Sequence, residues 1–170
     1  MASILIQGWT VHKVRDEYYL PYIHWIYLKE ILKYYDDICI VAPVEIMKDN
    51  SNQLSKIGLF SNVNVYPIYH AECVTYISGV KNFFSFFKVY KSLRNFDVTY
   101  ARYPDPFLWL QKVFFSKSKR IIHFVGRPVD TILKNPNINI IKKIFMALFF
   151  LPEQLMHLWA CKGAKIFTNG

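Results

Sequence analysis

Glycine is scarce in this chain: six residues, at positions 8, 58, 79, 126, 163 and 170, no two of them close enough to build a GxGxxG turn or a P-loop. Nicotinamide-binding and ATP-hydrolysing readings therefore lose their best support. None of His12, His24, His70, His123 or His157 stands in an HExxH and no serine stands in a GxSxG, which removes metalloprotease and α/β-hydrolase readings as well. Cysteine is equally thin. Cys39, Cys73 and Cys161 are odd in number, far apart and without CxxC spacing, so neither a disulfide framework nor a zinc site is indicated, and a reducing cytosol is the simplest setting.

Long apolar runs are missing too. The start, Met1-Ala2-Ser3-Ile4-Leu5-Ile6, has no basic segment ahead of it and meets Gln7-Gly8 early, unlike a secretory signal. The longest strongly apolar run, Ile144 to Leu151, is closed by Pro152-Glu153, short of the ~20 residues that span a bilayer. The expectation is a soluble or peripheral protein. Acidic residues are few after position 85. Residues 1–85 carry seven Lys/Arg and eight Asp/Glu, whereas residues 86–170 carry fourteen and four, so the overall charge of +9 is a field of the second half. Anionic lipid, nucleic acid and a sugar diphosphate all fit such a field.

Aromatic residues are plentiful. Fourteen Phe, 12 Tyr and 4 Trp in 170 residues supply a core for one domain without metal or disulfide. Six short β-branched runs read as strands: 3–8, 37–43, 63–69, 97–102, 119–126 and 164–170. Between them, helical spacing predicts helices over about 18–35, 80–94, 104–115 and 138–162, the last broken near Pro152. Alternating strands and helices imply βαβ crossovers: an α/β fold, doubly wound, with a mainly parallel sheet of about six strands flanked by helices. One domain covers 1–170.

In such sheets ligands sit beyond the carboxyl ends of the strands, near the reversal of strand order. Three strand ends carry unusual polar groups: Gly8-Trp9-Thr10 after the first, Arg102-Tyr103-Pro104-Asp105 after the fourth, and Gly126-Arg127 after the fifth. Gly8 serves either a tight turn or a close backbone approach to a ligand. Asp105 reads as a helix cap ahead of Pro106, which leaves Arg102 available to a ligand. Arg127 has the fork that suits phosphate or carboxylate. His123, inside an apolar strand, is either a core histidine or a weak catalytic candidate.

Asp97-Val-Thr-Tyr-Ala-Arg-Tyr-Pro-Asp-Pro-Phe107, Ile121-Ile-His-Phe-Val-Gly126 and Ala164-Lys-Ile-Phe-Thr-Asn-Gly170 resemble, in order and spacing, the amino-terminal domain of retaining family-4 (group 1) glycosyltransferases of the GT-B fold. The resemblance spans essentially the whole chain. It departs in two places: Trp9 follows Gly8 where many members have a second glycine, and His123 lies two or three residues before the position where many carry a histidine. The resemblance implies one Rossmann-like half of a two-domain enzyme, the half that binds the acceptor. The nucleotide-sugar domain would be absent, since none of Glu17, Glu30, Glu45, Glu72 and Glu153 are eight residues apart as in that domain's paired-glutamate signature.

The expected function is thus acceptor binding for a sugar transfer with retention, in surface polysaccharide or similar glycoconjugate synthesis. It implies no metal and no cofactor beyond the nucleotide-sugar co-substrate, which the missing domain would bind. Gly8, Trp9 and Thr10 would line the cleft floor, and Arg102, Asp105, Gly126 and Arg127 would hold acceptor or phosphate. The partners are a sugar or lipid-linked acceptor and, through Lys81, Lys88, Lys91, Lys142 and Lys143 beside phenylalanine-rich helices, an anionic membrane surface on the cytoplasmic side. Two rivals stay open. One is a non-enzymatic α/β binding module. The other, a nucleic-acid binder, lacks recognisable motifs and has its basic residues dispersed among helices, so no nucleic-acid partner is expected.

Overall fold

The computed structural model describes residues 2–49, 53–126 and 128–168. Its strands are β1 (Ser3–Gln7), β2 (Val11–Val14), β3 (Glu17–Pro21), β4 (Asp37–Met47), β5 (Leu54–Lys56), β6 (Val63–Ala71), β7 (Val98–Tyr103), β8 (Lys119–Phe124) and β9 (Lys165–Thr168). The helices are α1 (Tyr22–Ile31), α2 (Tyr76–Lys81), α3 (Phe83–Ser92), α4 (Leu110–Phe114), α5 (Pro128–Lys134) and α6 (Ile140–Cys161), with a 3₁₀ turn at Ile57–Leu59.

Six strands pair side by side, all parallel, in the order β6-β4-β1-β7-β8-β9. These are the six runs read from the sequence. Strand order reverses between β1, which continues to β4, and β7 on its other flank. The remaining three strands were not anticipated. β2 continues the line of β1 and pairs parallel with the far end of β4, β3 pairs antiparallel with β2, and β5 antiparallel with β3.

Each difference from the expected elements has a local cause. Residues 17–21 are strand rather than helix, because Arg15-Asp16 closes a two-residue turn with Arg15 at φ 55° and lets Tyr18 and Tyr19 pair with Lys13 and His12. β4 does not stop at Pro43. The proline, which has no N–H to donate, falls where the register with β6 shifts between Ala42 and Val44, and the strand resumes to Met47. The expected 80–94 helix is two helices meeting at Asn82, the first opened by a reciprocal Thr75–Ser78 capping box. The 104–115 helix shrinks to α4. In the reverse sense, α6 passes through Pro152 without a break, so the eight-residue apolar run is part of one helix 22 residues long.

The two faces of the sheet have separate cores. Ile4, Ile6, Ile38 and Ile40 turn toward α1 and pack with Leu20, Leu28 and Trp9. Leu5, Cys39 and Val41 turn the other way, toward Phe86, Tyr90, Leu110 and Phe115. Further along that second face, Ala101, Tyr103, Leu108 and Ile122 pack with Ala160 of α6. Residues of alternate parity on β7 and β8, namely Tyr100, Arg102 and His123, therefore face the α1 side.

Candidate functional site

Between α1 and the carboxyl ends of β7 and β8 lies a cavity of about 390 Å³, walled by Trp9, His24, Tyr27, Tyr100, Arg102 and His123, with Glu30 and Val125 at its margin. That volume is in the range of small-molecule sites, and the place is the crevice beside the strand-order reversal. Helical spacing sets His24, Tyr27 and Ile31 on one face of α1. Strand alternation sets Tyr100 and Arg102 on one face of β7, and the register pairs Arg102 with His123.

Gly8 makes this arrangement possible. It holds φ at +88°, and a Cβ there would sit 2.7 Å from the Arg102 carbonyl oxygen and 2.9 Å from its Cβ. The residue thus serves close backbone approach, to β7 rather than to a ligand, and it also turns the chain so that Trp9 falls into the crevice. The Trp9 indole stacks on the His24 imidazole, centroids 5.2 Å apart and planes 7° from parallel.

Arg102 Nη1 donates to His24 Nε2 at 3.0 Å. A guanidinium only donates, so Nε2 accepts and the His24 proton sits on Nδ1. Among the described residues that buried Nδ1 has no partner. Burial first, then the Arg102 charge and His12, bring His24 down to about 4, so it is neutral near pH 7. His12, whose Nδ1 is also buried and unpartnered, is lowered by burial, with Glu45 opposing. Among the described residues no carboxylate lies within ion-pair distance of Arg102, and Glu30 is engaged by Lys33 at 2.7 Å. The cavity offers one permanent cation and aromatic walls, with the His24 Nδ1–H buried behind them. Such a lining fits an anionic group carrying a ring. On its other side the Tyr100 hydroxyl and His123 Nδ1 are 2.8 Å apart.

Of the residues singled out in the sequence, Trp9, Arg102 and His123 meet here, and Gly8 supports them from behind. Thr10 does not line the cavity. Gly126 is exposed with open space around it. Arg127 lies outside the described residues. Asp105 is no helix cap: α4 begins five residues later, and the carboxylate instead accepts a 2.5 Å hydrogen bond from Gln7 Nε2 on the opposite face of the sheet. Gln7 in turn accepts from Tyr90, and burial raises Asp105 to about 7. His24 and Tyr27 were missed. Their signal was there, in an imidazole and a phenol spaced i, i+3 on the inward face of a helix that follows a tryptophan-bearing strand end. Comparison with protein-family models, curated proteins and solved structures finds no match to this chain.

Proposed function

We propose that the chain is the acceptor-side domain of a retaining family-4 (group 1) glycosyltransferase, and that the cavity beside Arg102 holds a phosphate-bearing sugar acceptor. The observation that carries the reading is Arg102 itself, its backbone against Gly8 and its guanidinium hydrogen-bonded to His24 with no carboxylate partner among the described residues. A phosphate oxygen would take the open N–H groups of the guanidinium, which His24 Nε2 holds in place, while a sugar ring would lie along the aromatic wall. His123, held by Tyr100, would orient an acceptor hydroxyl. The nucleotide-sugar would be bound by a second domain, and closure over this crevice would exclude water and align the acceptor. Such an enzyme would work in glycoconjugate assembly on the cytoplasmic side, a setting that the unpaired thiols Cys39, Cys73 and Cys161 suit.

The test is turnover and calorimetry of the 170-residue chain against common nucleotide-sugars. The expectation is no transfer and no micromolar donor affinity. Transfer by this chain alone would refute the two-domain reading. A second reading, a binding module without chemistry, is favoured by the engagement of Glu30 with Lys33, which leaves the cavity no free carboxylate among the described residues. Sugar transfer after addition of a separately expressed donor domain would remove it.

A further inference from the structure

We propose that α6 lies in the surface of an anionic bilayer, with its outward half immersed among the acyl chains and its axis parallel to the membrane. Three independent features of the helix lead there, none of them dependent on the ligand cavity.

The first is exposure. Ile141, Ile144, Phe145, Leu148, Leu151 and Leu155 fall on one side of the helix at 100° per residue, and Phe145 and Leu148 are 70% and 57% exposed. Only 11% of the most apolar 18-residue window is buried, and no residue of α6 before His157 is buried. A core helix shows the opposite. The 22 residues extend about 33 Å, while its neighbours β7 and β8, six residues each, extend about 20 Å. Since α6 starts after β8 ends and returns to the start of β9, its overhanging part, about the first nine residues, lies at the carboxyl edge of the sheet, ahead of Phe150, whose ring packs on Tyr76.

The second feature is charge. The one carboxylate of α6, Glu153, is turned inward. It accepts from the Phe107 backbone N–H at 2.6 Å and the Trp109 indole at 3.2 Å, and lies 3.1 Å from His157 Nε2. Lys142 and Lys143 stand at the overhanging end, with Lys134 just before it in α5. At 100° per residue both lysines stand behind the apolar arc, Lys142 exposed and Lys143 Nζ donating to the Leu133 carbonyl, so the charge that backs the arc is positive, as an interfacial helix on an anionic lipid surface requires.

The third is the breadth of the apolar face, about half the circumference. A second copy of α6 packed against it would cover a seam and leave the flanks wet, whereas a bilayer covers the whole arc. The helix is long and apolar enough to cross a membrane, yet crossing would carry into the hydrocarbon the sheet on which Ala160 and His157 are packed. Lying flat costs no such burial.

The experiment is co-sedimentation of the chain with vesicles of phosphatidylcholine alone and of phosphatidylcholine with phosphatidylglycerol. Sedimentation velocity of the lipid-free protein runs in parallel. Binding to the anionic vesicles should be the stronger and should fall only in part at high salt, because the apolar contribution is not screened. Phe145→Ser with Leu148→Ser, both outward-facing, should weaken binding at least about tenfold with unchanged melting. Leu148→Trp should add fluorescence quenched by lipids brominated in the acyl chains. The proposal is overturned by absent binding at low salt, by binding indifferent to the double substitution, by no quenching of the added tryptophan, or by a lipid-free dimer that the same substitution dissociates.

Discussion

A guanidinium with no carboxylate beside it among the described residues is costly to keep half-buried, and that of Arg102 is held by a neutral contact, His24 Nε2, while Gly8 fits against the residue's backbone. If phosphate is what it awaits, Arg102→Met should lower affinity for glucose 1-phosphate by about 1.5–3 kcal/mol, the worth of hydrogen bonds to a charged group, with little change in melting. Calorimetry and a melting curve on the same sample check this. Two other buried groups act on stability with opposite signs. Asp105, raised to about 7 by burial, holds a proton in the folded chain that it loses in the unfolded one, so it withdraws stability as pH rises from about 4 to 7. His24, lowered to about 4 by burial and Arg102, is neutral when folded and protonates when unfolded, so it adds stability as pH rises from about 4 to 6.5. Asp105→Asn should therefore gain stability relative to the parent chain progressively from pH 4 to 7, as read by urea unfolding at several pH values. A constant difference across that range would show Asp105 to be ionised throughout. Neither group was legible beforehand. Asp105 looks like a cap because it precedes a proline, and only the fold brings Gln7, 98 residues away, to its carboxylate.

Elements are joined here by single residues. Gly8 separates β1 from β2 and lets β7 pass at van der Waals distance. Gly8→Ala should cost about 1–3 kcal/mol from the left-handed backbone and the clash with Arg102, and should abolish ligand binding in what remains folded. Glu153 ties α6 to the loop after β7, where Phe107 holds φ at 59°, with its N–H bound to the carboxylate. Burial alone would raise this carboxyl, but His157, the Phe107 N–H and the Trp109 indole together bring it below its usual range. Glu153→Ala leaves those donors unpaired and should cost about 2–4 kcal/mol, with hydrogen exchange accelerated in α6 before it rises in β7. Uniform exchange across both would argue against a local tie. At this scale the sequence was readable where periodicity is strong, in the six parallel strands. It misled where a turn or a tertiary contact outweighs propensity, as in the β2–β3 hairpin, or where a proline rests on the outside of a long helix, as Pro152 does in α6.

Across the whole molecule, the α/β class and the parallel sheet follow from β-branched runs alternating with helical ones, because a parallel pair needs a crossover and right-handed crossovers leave few orders open. What could not be read was which strand ends converge. Trp9, Arg102 and His123 come from three separate strand ends and meet only because β1, β7 and β8 are consecutive in the sheet. The claim that rests on this convergence is an anion-and-sugar cavity against α1. The most direct measurement is a heteronuclear NMR titration of the chain with glucose 1-phosphate, glucose and inorganic phosphate, following the Trp9 indole and the His24 ring nitrogens. Saturable shifts at both, strongest for the sugar phosphate and lost in Arg102→Met, are the predicted result. Unmoved Trp9 and His24 signals at millimolar glucose 1-phosphate, or shifts confined to the Tyr103–His157 side of the sheet, would contradict it.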